Sequence, residues 1–211
     1  MKAELLVIFD FDGTLADSWP VTSAELVAAA GPLRFKQLSL AELEQLRGHP
    51  TREVFRALEI ATWRIPTIAA HLRKRFEQAD IRLFDGVPRM LEALHAAGIS
   101  IAVATSNSEL TVRKTLGPDN MDRVARLACS VPVFGKSRQF QRLIRATHGI
   151  HAVSVGDETR DLDAAAKAGI TGLAVEWGYA EPALLRSIAP GRTFATIADL
   201  TADLLRRAVQ P

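Results

Sequence analysis

The chain has 211 residues, 48% of them hydrophobic and 24% charged, with a formal net charge of +2. That length and apolar fraction suit one large domain, or a domain carrying a modest insert, and exclude a disordered chain. The small net charge argues against nucleic acid or a membrane surface as partner, and a lone cysteine, Cys129, excludes an internal disulfide.

Leu5 to Phe9 is a continuous apolar run of the kind buried on both faces of a parallel sheet. It leads directly into Asp10, Phe11, Asp12, Gly13 and Thr14. Side chains two apart on extended backbone face the same way, so Asp10 and Asp12 are expected to converge. Their repulsion calls for a cation or a shared proton; an Asp-rich turn is the plainer reading of the same residues.

From Asp17 to about Arg82 the pattern is helical. A helix is expected over Val21–Ala30, and another from a Ser39/Glu42 capping box to Leu46. Two more follow, over Thr51–Leu58 and after Pro66, where Ile68, Leu72 and Phe76 form an apolar stripe. Beyond Leu83 strands and helices alternate. Helices are expected over Val87–Ala97, Glu109–Leu116, Phe140–Thr147, Asp161–Ala168, Pro182–Ile188 and Ile197–Val209. Strands are expected over Ile99–Ala104, Arg126–Val133, Ala152–Val155 and Thr171–Val175. Alternation of this kind indicates an α/β fold with a doubly wound, Rossmann-like parallel sheet. The expected division is a core of residues 1–16 and 83–211, with residues 17–82 as an inserted all-helical cap.

Three further groups stand at expected strand ends. Thr105, Ser106 and Asn107 offer hydroxyls and backbone amides to an anion, or else cap a helix. Lys114 and Lys136 are the lysines between that strand and the next acidic motif; Lys136 lies between a strand and a helix, Lys114 within a helix. Gly156 to Asp161 places Asp157 at a strand tip and Asp161 one helical turn later, an acidic pair that is by itself also an ordinary turn and helix start.

Taken together, Asp10-Phe11-Asp12-Gly13-Thr14-Leu15-Ala16-Asp17-Ser18, Thr105, Lys136 and the Asp157/Asp161 pair resemble the four ordered motifs of the haloacid dehalogenase superfamily. Glu176 to Tyr179 resembles the segment following the last motif in phosphoglycolate-phosphatase-like members. Gly135-Lys136-Ser137 departs from the usual Lys-Pro form of the third motif. The resemblance implies a phosphatase that uses Mg2+ and an aspartyl-phosphate intermediate. In it Asp10 is the nucleophile and Asp12 the acid and base. Thr105, Ser106 and Lys136 bind phosphate, while Asp10, the Asp12 carbonyl, Asp157 and Asp161 serve the metal. A small phosphorylated metabolite, 2-phosphoglycolate among them, is the implied substrate.

The same resemblance admits a sugar phosphomutase; a non-catalytic binding homologue is a further alternative. The second aspartate and the metal set argue against a dehalogenase. Arg47, His49 and Arg52 flank a Gly-containing break in the insert, and with Asn107 are candidates for reading the substrate; an ordinary turn before a capped helix is the competing reading. No stretch reaches the ~20 apolar residues of a membrane span and no signal-peptide pattern stands out, so a cytoplasmic location is expected.

Overall fold

The computed structural model describes residues 5–132, 135–147 and 151–209. In chain order the strands are β1 (Leu5–Phe9), β2 (Ala16–Asp17), β3 (Arg82–Leu83), β4 (Ser100–Ala104), β5 (Arg126–Ala128), β6 (His151–Gly156), β7 (Thr171–Val175) and β8 (Thr193–Phe194). The helices are α1 (Trp19–Ala29), α2 (Leu40–Leu46), α3 (Thr51–Ala57), α4 (Ile65–Phe76), α5 (Val87–Ala96), α6 (Glu109–Met121), α7 (Lys136–Ala146), α8 (Thr159–Ala168), α9 (Pro182–Ile188) and α10 (Ile197–Arg207).

Six strands form one parallel sheet in the order β5-β4-β1-β6-β7-β8. This is the doubly wound, Rossmann-like arrangement expected from the sequence, and its direction of winding reverses between β1 and β6. Both faces of β1 are covered, which explains its unbroken apolar run. Leu5, Val7 and Phe9 pack with Met90, Leu94, Leu200 and Leu204 of α5 and α10. Leu6 and Ile8 face Phe140, Leu143 and Ala165 of α7 and α8. Phe9 lies opposite Val103 in β4 and Val155 in β6, so the chain leaves all three strands along one edge, at Asp10, Thr105 and Asp157.

Residues between β2 and β3 build a second apolar cluster from Leu26, Phe35, Leu43, Leu58, Ile65 and Ile68. The Ser39 capping box is formed: Ser39 Oγ accepts from the Glu42 amide at 3.2 Å, and Glu42 Oε2 accepts from the Ser39 amide at 2.8 Å. The two chain crossings into this helical layer run side by side as a two-stranded antiparallel ribbon, Ala16 opposite Leu83 and Asp17 opposite Arg82.

That ribbon was not expected, because two-residue strands carry no readable periodicity. The same holds for β8. The strand expected over Arg126–Val133 ends at Ala128, and Ser130 adopts a positive φ of 54°; Val133 lies outside the described residues. The helix expected to stop at Leu116 does break there, at Gly117 (φ 70°, ψ 171°), but resumes at Pro118 and runs to Met121. Proline at the first position of the resumed helix needs no amide partner. α1 begins two residues earlier than expected, at Trp19.

Leu43 is 1% exposed and central to the second cluster. Leu43→Ala is expected to cost about 2–5 kcal/mol of stability, read as a lowered urea midpoint.

Candidate active site

Four chain segments deliver charge to the edge where the sheet reverses. Asp10 is fixed at the end of β1 by its amide, which donates to Val155 O at 2.8 Å, and its Oδ1 accepts from the Phe11 amide at 2.7 Å. Asp157 follows β6, and Asp161 lies in the first turn of α8. Lys136 opens α7 and is 4% exposed; its Nζ contacts Asp10 Oδ2 and lies 2.6 Å from Asp161 Oδ1. Phe134, which precedes it, is outside the described residues. Lys114 is elsewhere, on the exposed face of α6, donating to Ala79 O at 2.9 Å.

One oxygen from each of Asp10, Asp157 and Asp161 lies within 4.8 Å of the others, and all three residues are buried. The Lys136 ammonium sits among these three carboxylates, and the Arg160 guanidinium also acts on Asp10 and Asp161. An all-oxygen donor set with surplus negative charge fits a hard divalent cation. Asp157 is oriented from two sides: Thr14 Oγ1 donates to its Oδ1 and the Tyr179 amide to its Oδ2, each at 2.8 Å. Gly13 (φ 72°) and Gly178 pack so closely on this side chain that a Cβ at either position would collide with it.

Asp12 behaves differently. Its carboxylate accepts from Ser18 Oγ at 2.6 Å and from Asn107 Nδ2 at 2.9 and 2.8 Å, partners outside the acidic cluster. Tyr179 OH lies 2.6 Å from Ser18 Oγ. Since the Ser18 proton points to Asp12, Tyr179 is the donor in that pair. Thr105 is fully buried; its Oγ1 accepts from the Asn107 amide at 3.0 Å, which leaves the hydroxyl proton free to donate.

A cavity of about 170 Å³ opens above Asp12, Ser106 and Asn107 and is roofed by α1, α3 and α4. Arg47 and His49 border it. Arg47 lies over the Trp19 ring at 5.6 Å, pairs with Glu44 at 3.3 Å and donates to Gly178 O at 3.3 Å. Asn107 reads Asp12 as well as bordering the cavity. Arg52 is exposed and is not among the residues bordering this cavity, because α3 turns that position to the outside while Thr51, Val54 and Phe55 face in. Sequence reasoning did not single out Ser18, Tyr179, Glu158 or Arg160. Ser18 carried a weak local signal, as the residue just before α1. Tyr179 stood only within the segment after the last motif and carried no role, since its partner Ser18 lies 161 residues away. Glu158 accepts from Thr51 of α3 and from Arg160 at 2.6 Å.

Burial pushes Asp10 up to about 7, although Lys136 acts in the opposite direction. Burial likewise raises Asp12, and raises Asp157 with help from the charge on Glu158. Lys136 loses affinity for its proton through burial, but Asp10 and Asp161 more than restore it. A carboxyl raised from 3.8 to about 7 is protonated in the folded state and ionised in the unfolded state between those values. Its contribution to stability therefore falls as pH rises from about 4 to 7, by at most about 1.4 kcal/mol per pH unit. Metal-free protein in EDTA is expected to lose stability over that range in urea titrations. Asp10→Asn is expected to flatten the dependence and to be more stable than the parent at pH 7.

Known proteins agree with this arrangement. The family described as haloacid dehalogenase-like hydrolase matches residues 7–175. A phosphoglycolate phosphatase of Synechococcus elongatus is 28% identical over 200 residues, covering 92% of this chain and 94% of its own. A 5′-nucleotidase of Pseudomonas aeruginosa is 28% identical over 207 residues, covering 92% of each. A Clostridium acetobutylicum protein, its crystal structure described as that of a predicted phosphatase, superposes with a TM-score of 0.79 at 19% identity. It covers 96% of this chain and 99% of its own, a likeness of fold. With 169 consecutive residues matched and the sheet, the acidic cluster and the lysine in place, the chain belongs to the haloacid dehalogenase-like hydrolase family.

Proposed function

We propose that this hydrolase is a Mg2+-dependent phosphomonoesterase that works through an aspartyl-phosphate on Asp10. The observation that carries the reading is the separation of two neighbouring carboxylates into different surroundings. Asp10 lies against Lys136 and the acidic cluster, while Asp12 lies among Ser18, Asn107 and the cavity floor. Neighbouring acids with different environments take different roles.

In the first step an Asp10 carboxylate oxygen attacks phosphorus, the bond from phosphorus to the ester oxygen breaks, and Asp12 gives its proton to the departing alkoxide. The raised proton affinity of Asp12 suits that task. In the second step water attacks phosphorus, Asp12 takes a water proton, and the bond to Asp10 breaks, releasing inorganic phosphate and restoring both carboxyls. Thr105, the Ser106 amide and Lys136 hold the transferring oxygens in a buried site, where such contacts are strongest. Mg2+ would be held by Asp10, the Asp12 carbonyl and Asp157, with Asp161 nearby, and would offset the repulsion between carboxylate and phosphate.

Residues 17–82 act as a cap that covers the reacting groups and limits water. Contacts that tie it down beside the cavity include Thr51 to Glu158, Arg47 to Gly178 O, and the Glu181 amide to Gly48 O at 3.2 Å. The relatives' names offer 2-phosphoglycolate or a nucleoside monophosphate as substrate, both small phosphorylated metabolites.

Asp10→Asn is expected to abolish phosphate release from every ester while the circular-dichroism spectrum is retained. EDTA is expected to stop the parent enzyme and Mg2+ to restore it. Thr105→Val is expected to lower kcat roughly 100-fold or more, the effect of losing one oxyanion donor. Full turnover by Asp10→Asn would remove the covalent mechanism.

A further inference from the structure

The inference concerns the alcohol half of the substrate and rests on Asp12 being the acid for the leaving group. Asp12 forms the floor of the cavity under the cap, so the group it protonates lies inside that cavity. Above the floor the inner faces of α1, α3 and α4 are largely apolar, with Thr22 and Thr51 as the hydroxyls among them. Trp19 and Leu26 of α1, Phe55 of α3, and Ile68, Leu72 and Phe76 of α4 face inward, their helices contributing at three- and four-residue spacings that place a stripe on one face. The space of about 170 Å³ is comparable to apolar cavities of ~150 Å³ that take up benzene.

The charged groups around the cavity do little to prepare it for an anion. The Arg47 guanidinium is engaged by Glu44, Gly178 O and the Trp19 face. Arg160 is engaged by Glu158. Arg73 and His49 also border the space, as do two hydroxyls already engaged, Thr22 donating to Ser18 O at 2.8 Å and Thr51 to Glu158, while the α4 positions Ile65, Ile68, Ala69 and Leu72 that line it are all apolar. A glycolate leaving group, small and carrying a carboxylate, would leave this wall uncovered. A ribose would set hydroxyls against the apolar positions of α4, where they lose hydrogen bonds to water without replacement.

We infer that the substrate is a phosphomonoester of an apolar alcohol, of short alkyl to benzyl size. The ester oxygen meets Asp12, the phosphoryl group meets Asp10, and the hydrocarbon fills the space between α1 and α4. Hydrolysis adds water across the phosphorus–oxygen bond and releases the free alcohol and inorganic phosphate. No other reactant is needed.

The test is kcat/KM for phosphate release by the full chain with Mg2+ on methyl, propyl, pentyl and benzyl phosphate, with 2-phosphoglycolate alongside. These leaving alcohols are all aliphatic at the carbon bearing oxygen, so intrinsic reactivity varies little along the series. Expected is a rise of about three- to fourfold per added methylene until the space is filled, with benzyl phosphate at least tenfold better than 2-phosphoglycolate. Ala69 also borders the cavity, and Ala69→Leu is expected to bring pentyl phosphate down towards propyl phosphate, so that the gradient flattens. A flat or falling series in the parent enzyme overturns the inference. So does a preference for 2-phosphoglycolate that Arg73→Ala removes. In both cases phosphate is still released and the phosphatase reading stands. Failure to release phosphate from any of the five esters counts against that reading itself, and the inference falls with it.

Discussion

The structure turns on one electrostatic problem, three carboxylates gathered under the edge of a sheet with the Lys136 ammonium among them and the Arg160 guanidinium close by. Each would ionise readily in water, and burial opposes that in every case where a shift is seen at Asp10, Asp12 or Asp157. Lys136 resolves part of the conflict by standing between Asp10 and Asp161. The remainder is left as surplus negative charge, the condition under which a site prefers a divalent cation to another protein group. An arrangement that is poor for stability when empty is well suited to holding a metal and a phosphate together.

The segment at residues 178–181 links this charge to the helical layer above it. The Tyr179 amide holds Asp157, and its hydroxyl supports Ser18, which in turn holds Asp12. On the other side Gly178 O receives Arg47 and the Glu181 amide reaches Gly48. Four residues thus touch both halves of the chemistry and the rim of the cavity. The near approach to Asp157 is available only because position 178 lacks a side chain. A shift of the Asp157 carboxylate would be felt at Arg47 and Gly48 through a few stiff contacts.

The helical layer contributes shape more than charge. Its own apolar cluster holds α1 to α4 together independently of the sheet, and the ribbon of β2 and β3 fastens both crossings at one place. Between α1 and α4 the packing is incomplete, and the gap lies directly over Asp12. Protein interiors are otherwise filled close to crystalline density. A void of this size beside reactive groups is where a substrate's body belongs.

What the sequence determined by itself was local and repetitive. The apolar run of β1, the alternation of strands and helices after Leu83, and the Ser39–Glu42 box each depend on neighbours within a few residues, so they could be read without coordinates. The order of Asp10, Asp12, Thr105, Lys136, Asp157 and Asp161 was legible through its resemblance to a known set of motifs, with Lys136 and Asp161 falling in the first turns of α7 and α8. Strand register then placed these residues along one edge. What only the tertiary structure decided was anything joining distant segments. The support of Asp12 by Ser18, Asn107 and Tyr179 is one example, and the outward turn of Arg52 is another. The apolar wall facing Asp12 belongs with them: sequence periodicity told that Ile68, Leu72 and Phe76 share a helix face, but not that the face would border a cavity. Spacing along a chain fixes direction within an element, while the partner of that direction is chosen only when elements pack.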